Sequence, residues 1–195
     1  ETIREFISVI LIVSSSVTVI ALIFGSLAAY ALVRLKFRFQ RTLLLGILGT
    51  RMIPEISLVI PLYILASRVR IFNGTLLNTR YILIITYLSF ALPFAIWLMA
   101  SFFQTIPVEL EDAARIDGCN RIETLLRIIM PISSPGLVST GLFVFLTAWD
   151  EFFFALIFTS TVAAKTVPVA IAEFTGRYVV DVGGMMTGGV LAAIP

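Results

Sequence analysis

Long apolar runs alternate with short polar links along this chain. A helix that crosses a bilayer needs about 20 mostly apolar residues, each rising about 1.5 Å. Four runs reach that length: Phe6–Val33, Leu43–Ala66, Tyr81–Phe103 and Gly136–Phe158. A fifth, Gly183–Pro195, is too short to span and reads as a helix cut off by the end of the chain. The first run holds Ser14, Ser15, Ser16 and Gly25, small residues suited to close helix packing. The second holds Pro54 and Pro61, the third Pro93, and the fourth Asp150 and Glu151. The pattern predicts an all-α membrane protein, a multi-helix transmembrane bundle forming one domain over residues 1–195.

The links are short and polar. Arg34-Leu-Lys-Phe-Arg-Phe-Gln-Arg41 packs four cations into eight residues. Ser67–Arg80 contains Asn73-Gly74, a turn signal. Thr159–Val182 holds Lys165, Pro168, Gly176 and Arg177. Pro107–Pro131 is a polar island with three arginines and five acids. The links at 34–41 and 107–131 fall on one side of the membrane. They carry Arg34, Lys36, Arg38, Arg41, Arg115, Arg121 and Arg127, against Arg4, Arg68, Arg70, Arg80, Lys165 and Arg177 opposite. Seven cations against six decide nothing, but the dense cluster at 34–41 points that side to the cytoplasm.

The island has start and stop signals for two short helices. Pro107 suits a first turn, and Glu109, Glu111 and Asp112 complement the helix dipole there. Glu111 and Arg115, four apart with the acid first, form a favourable pair. Gly118 sits where a left-handed residue would end the helix. Asn120 with Glu123 three residues on makes a capping box, and Glu123 with Arg127 repeats the acid-first spacing. Ile122, Leu125, Leu126 and Ile129 give one apolar stripe, which Pro131 ends. The prediction is helix, sharp glycine turn, helix, with Asp117, Gly118 and Cys119 projecting. Either the pair lies on the membrane surface without a partner, or it is a handle for a soluble protein. A helix made to lie on anionic lipid should be basic; the first of these is acidic, which favours the handle.

Composition narrows the function classes. The chain has 195 residues, is 59% hydrophobic and 13% charged, and has a mean hydropathy of +1.04. Soluble domains are about twice as charged. A net charge of +2 is too small to argue for nucleic acid. One cysteine leaves no internal disulfide, and the lack of histidine removes the commonest metal ligand and general base. No metal site or enzyme activity is expected. No P-loop pattern occurs and the lysines are Lys36 and Lys165 alone, so the chain is expected to bind no ATP in that manner. No secretory signal precedes the first run, and Glu1 is not an initiator methionine, so the chain reads as an excised domain.

Ionisable groups inside a membrane segment are functional candidates. Asp150 and Glu151 lie between Trp149 and Phe152. Aromatic rings stack on flat apolar faces and carboxylates accept bonds from hydroxyls, so these four could line a solute path. The alternatives are that the acids cap an interrupted helix or meet cations of a partner. Consecutive residues project in different directions on a helix, which does not suit a catalytic carboxylate pair. Arg51 and Glu55, four apart around Pro54, form either a self-neutralising pair in a kinked helix or a gate contact. A secondary transporter would show repeated halves, and no internal repeat is present.

The island carries the motif Asp112-Ala113-Ala114, then Asp117-Gly118, then Ile128, then Met130-Pro131. At these residues the chain resembles the permease subunit of binding-protein-dependent ABC importers, the carbohydrate type in particular, akin to maltose and glycerol-phosphate inner-membrane components. That family carries Glu-Ala-Ala, two residues, Asp-Gly, nine residues, Ile, one residue, Leu-Pro. Asp112 stands for Glu and Met130 for Leu here, and Glu111 is a neighbouring acid. Shorter similarities follow in order: Leu27-Ala-Ala-Tyr-Ala31, Met52-Ile-Pro54, Ile60-Pro-Leu-Tyr63, Pro93-Phe94, Trp97, Phe102-Phe103, Trp149-Asp-Glu-Phe152 and Lys165-Thr-Val-Pro168.

The resemblance implies a type I importer permease core of six membrane helices, of which the first and the end of the last are missing here. It implies a multi-pass protein of a bacterial or archaeal cytoplasmic membrane. It implies a second permease, two ATP-binding cassette subunits that use the ATP, and an extracytoplasmic solute-binding protein. The island would be the coupling element docked on the ATPase, with Glu111, Asp112, Ala113, Ala114, Asp117, Gly118, Ile128 and Pro131 as its residues. The solute would be a sugar or oligosaccharide, with a polyamine, amino acid or phosphate as alternatives.

Overall fold

The computed structural model describes residues 2–35, 38–71, 74–161, 163–173 and 182–193. Lys36, Asn73, Gly176 and Arg177 of the predicted links lie outside these residues, as do Ile194 and Pro195 of the fifth run. The described residues are helical almost throughout. Helix α1 runs Thr2–Arg34, α2 Gln40–Gly49, α3 Glu55–Arg68 and α4 Arg80–Gln104. Helix α5 runs Glu109–Ile116 and α6 Arg121–Thr124. A π-helical turn, Leu125–Ile129, then leads into α7, Met130–Ile132. Helices α8 (Ser134–Trp149), α9 (Phe153–Phe158), α10 (Val167–Glu173) and α11 (Val182–Ala192) complete it. Strands β1 (Arg70–Ile71) and β2 (Gly74–Thr75) pair antiparallel in the predicted turn link.

Helices α1 and α4 match the first and third apolar runs and are each long and apolar enough to cross a membrane. The second and fourth runs are not single helices. Pro54 lacks an N–H and pushes Ile53 into an extended conformation (φ −73, ψ 122), which separates α2 from α3. Pro61, by contrast, lies inside α3 without ending it. The fourth run breaks at Asp150–Phe152, between α8 and α9. Two interrupted pairs have the length and apolarity of a span only when each is joined: Gln40–Met52 with Glu55–Arg68, and Arg121–Ile132 with Ser134–Trp149. The second of these bends by 82° and takes in half of the island, which the apolar pattern had assigned to a link.

The chain divides into two compact units. One comprises residues 1–17, 54–87 and 145–195, and its core gathers Phe6, Ile10, Trp149 and Val167. The other comprises 18–53 and 88–144, and its core gathers Ala29, Tyr30, Met99, Ala100, Phe103, Ile106, Leu125 and Ile129. In the latter unit Gly25 lets α1 approach α4 closely: a Cβ there would lie 3.2 Å from the Ala95 Cβ.

Candidate functional site

The island folds as its caps dictate. The first turn of α5 carries three acids, Glu109, Glu111 and Asp112. Its end is a Schellman arrangement: Cys119 N–H donates to the Ala114 carbonyl (2.9 Å) and Gly118 N–H to the Arg115 carbonyl (3.0 Å). Gly118 takes φ +86, the left-handed conformation a glycine adopts without penalty. Asn120 then starts α6. Its side chain accepts from Ile122 N–H and Glu123 N–H (both 3.0 Å), and Glu123 accepts from the Asn120 N–H (2.9 Å). The predicted capping box is present.

The inner face of this element is locked by a charge that the residue spacing pairs wrongly. Glu111 does not pair with Arg115. It is buried and forms an ion pair with Arg34, from the last turn of α1. The Tyr30 hydroxyl donates to its second oxygen (3.1 Å). Arg34 also donates to the carbonyls of Phe103 (3.1 Å) and Ile106 (2.8 Å) at the end of α4. One guanidinium thus ties α1, α4 and α5 together, and puts the 34–41 link at the same end of these helices as the island. Arg115 pairs instead with Asp112 at 3.4 Å, on the exposed face. The helix turns Glu111 inward and Asp112 outward because consecutive residues are about 100° apart.

The apolar stripe also divides. Leu125 and Ile129 enter the core, whereas Ile122 and Leu126 are 64% and 56% exposed. Pro131 does not end the helix. The Met130 N–H donates to the Leu125 carbonyl five residues back, and helical backbone continues through Pro131 to Ile132. Proline has no N–H for the carbonyl four residues earlier and its ring would clash there, so a wider turn at that point relieves both problems. The outward face presents Asp112, Ala113, Asp117 and Gly118, with Ile116 at 87% exposure beside the turn. Ala114 is buried, Ile128 and Cys119 half-buried, and Pro131 exposed. The Glu123–Arg127 pair forms, at 3.7 Å.

Asp150 and Glu151 belong to the other compact unit. Glu151 accepts from the N–H groups of Phe154 (2.8 Å) and Ala155 (3.2 Å), so it caps α9, one of the alternatives its position left open. It also meets the Tyr87 hydroxyl. Trp149 is buried, and its indole N–H donates to the Ala192 carbonyl (2.9 Å). Asp150 and Phe152 remain exposed. Arg51 donates to the Phe90 carbonyl (2.8 Å).

Sequence reasoning missed Arg34 and Tyr30 as parts of the site. Arg34 counted as one of four cations in a basic link. Its signal was its place, contiguous with a long apolar run, where a charge needs a partner inside the protein.

Several known proteins are similar to this chain. The trehalose/maltose transport system permease protein MalG of Thermococcus litoralis is 40% identical over 186 residues, 95% of this chain and 65% of that protein. The trehalose transport system permease protein SugB of Mycobacterium tuberculosis is 41% identical over 180 residues, 91% of this chain and 64% of that protein. The chain therefore spans just under two thirds of the length of these relatives. In fold it resembles a chain of a bacterial ABC transporter involved in import of the acidic polysaccharide alginate (TM-score 0.77, 22% identity, 98% of this chain and 64% of that one). It also resembles a chain of the MetNI methionine ABC transporter in an inward-facing conformation (TM-score 0.73, 19% identity, 98% and 86%). The fold is that of a type I ABC importer permease. The profile of the binding-protein-dependent transport system inner membrane component family matches residues 21–195, and the chain belongs to that family.

Proposed function

We propose that this chain forms half of the translocation path of an ATP-driven importer for a sugar or oligosaccharide, in a cytoplasmic membrane that it crosses several times. A second permease completes the path, two ATPase subunits dock on the island from the cytoplasm, and an external binding protein delivers the solute. The carbohydrate assignment is supported by the trehalose and maltose named for its relatives.

One observation carries the docking role. The element around Gly118 is rigidly held on its inner face and bare on its outer one, where Ile116 and Ile122 flank the turn and Asp112 and Asp117 are exposed. An exposed apolar patch edged by charge is the character of a protein contact. The two aspartates offer charge-assisted bonds to arginines or lysines of the ATPase. Ala113 keeps that face thin, and Ala114, Ile128 and Pro131 hold the helices behind it. When ATP closes the ATPase pair, the element moves with it and carries the ends of α1 and α4. Of the solute-path candidates, Asp150 and Phe152 are the ones free to meet a sugar, while Trp149 and Glu151 hold them in place.

The test uses Cys119, the sole cysteine, half-buried next to the turn. The expected result is a crosslink from Cys119 to a cysteine placed in the docking cleft of the ATPase subunit, with a yield that changes on ATP binding. Absence of crosslinking with and without ATP, in an assembly that still takes up trehalose or maltose, overturns the proposal.

A further inference from the structure

We propose that the cavity at the ends of α1, α2 and α4 holds the headgroup of an anionic phospholipid from the surrounding bilayer. The cavity measures about 510 Å3 and presents Arg38, Arg41, Gln40 and Gln104 on its polar side, with Leu32 and Leu44 on its apolar side. That volume falls in the roughly 300–1,000 Å3 range of small-molecule sites. All of it lies within one compact unit.

Three observations select this occupant. The first is level. Leu32 lies two residues before the end of α1 and Gln104 is the last residue of α4, both helices of membrane-spanning length, so the cavity opens where the apolar stretch stops. The second is charge. Arg38 and Arg41 are exposed, no carboxylate lines the cavity, and neither arginine has an ion-pair partner among the described residues. Guanidinium groups recognise phosphate oxygens through paired N–H donors. The third is the mixed lining. A free phosphate has no use for Leu32 and Leu44, and a neutral sugar has none for two cations, whereas a phospholipid brings a phosphodiester and acyl chains together. Basic recesses between helix ends at this depth suit anionic headgroups.

The site is held in shape. The Gln40 side chain donates to the Leu32 carbonyl, which fixes the start of α2 against the end of α1. Leu44 packs on the buried cluster formed by Ala29, Tyr30, Met99 and Phe103. Arg38 and Arg41 therefore flank a fixed point.

The experiment is lipid binding, read without transport or ATP hydrolysis, so its outcome is independent of the importer assignment. The protein, purified with its native partners and stripped of lipid in mild detergent, is titrated with phosphatidylglycerol and read by native mass spectrometry. Phosphatidylcholine with the same chains and inorganic phosphate are the comparison arms. Retained phosphatidylglycerol is expected, with weakening of about fivefold for Arg38→Gln or Arg41→Gln and about 25-fold for the double variant. The Arg68→Gln/Arg70→Gln variant, which removes the same charge elsewhere, is expected to bind as the wild type. Equal retention of phosphatidylcholine, or wild-type binding by the Arg38/Arg41 double variant, overturns the site. Displacement of phosphatidylglycerol by millimolar inorganic phosphate overturns the lipid in favour of a free anion.

Discussion

Arg34 and Glu111 form a buried ion pair that fastens α5 to the last turn of α1, with side chains 8% and 2% exposed. Removing one partner of such a pair leaves an uncompensated charge, at a cost of about 3–5 kcal/mol. Replacing both by apolar groups of similar volume is often neutral. Arg34→Met or Glu111→Leu alone is therefore expected to lower the thermal unfolding midpoint in detergent clearly. The double variant is expected to recover the part of the loss due to the unpaired charge, while the Phe103 and Ile106 carbonyls and the Tyr30 hydroxyl still lose their partners. Additive losses in this double-mutant cycle would detach the pair from stability.

Gly118 tests backbone strain against crowding. A Cβ there would meet nothing within 4 Å, yet φ is +86. The constraint is torsional, about 1–2 kcal/mol for an ordinary residue and least for asparagine. Gly118→Asn should keep more uptake and thermal stability than Gly118→Val. Gly118→Trp should insert in the membrane but lose uptake, since its ring would occupy the proposed docking face. Wild-type uptake by the tryptophan variant would remove the docking role from this turn.

Gly136, at the start of α8, faces the opposite situation. A Cβ there would lie 2.4 Å from Cγ of Phe102, at the base of the ring, so the whole side chain would have to move. Gly136→Ala should cost about 1–3 kcal/mol by overpacking. In a Phe102→Ala background the same change should cost almost nothing. Equal penalties in both backgrounds, measured by thermal unfolding, would place the strain elsewhere.

Glu151 and its neighbour separate capping from solute contact. Glu151→Ala strips the acceptor from two N–H groups of α9 and should cost about 0.5–2 kcal/mol, with Glu151→Gln milder. Asp150→Asn, on an exposed residue, should leave stability within about 0.5 kcal/mol and raise the KM of sugar uptake. Parallel unfolding and uptake measurements check both. A silent Glu151→Ala in the unfolding assay would sink the cap.

Much of this was legible from the sequence because it rests on local rules. The lengths of α1 and α4 follow from uninterrupted apolar runs, and the Gly118 turn and Asn120 capping box follow from residue types at fixed offsets. What escaped depends on contacts distant in sequence. Glu111 has two basic candidates, Arg115 nearby and Arg34 far away, and only the packing of α1 beside α5 decides between them. The split of the second run escaped for another reason, while that of the fourth was one of two alternatives that hydropathy left undecided. Hydropathy registers apolar length but not the missing N–H of Pro54, nor the capping carboxylate that lets a new helix start after Glu151.

The wide turn at Leu125–Ile129 has a bearing on how this region can vary. A π turn houses one more residue than the α-helix around it while returning the backbone to the same course. With Pro131 also replaced by a residue that carries an N–H, deleting one position there would let the helix tighten, with the segments before and after still facing as they do now. The distance between the glycine turn and α8 can therefore lose a residue, together with that proline, without turning either end, a slack that an unbroken α-helix would not offer.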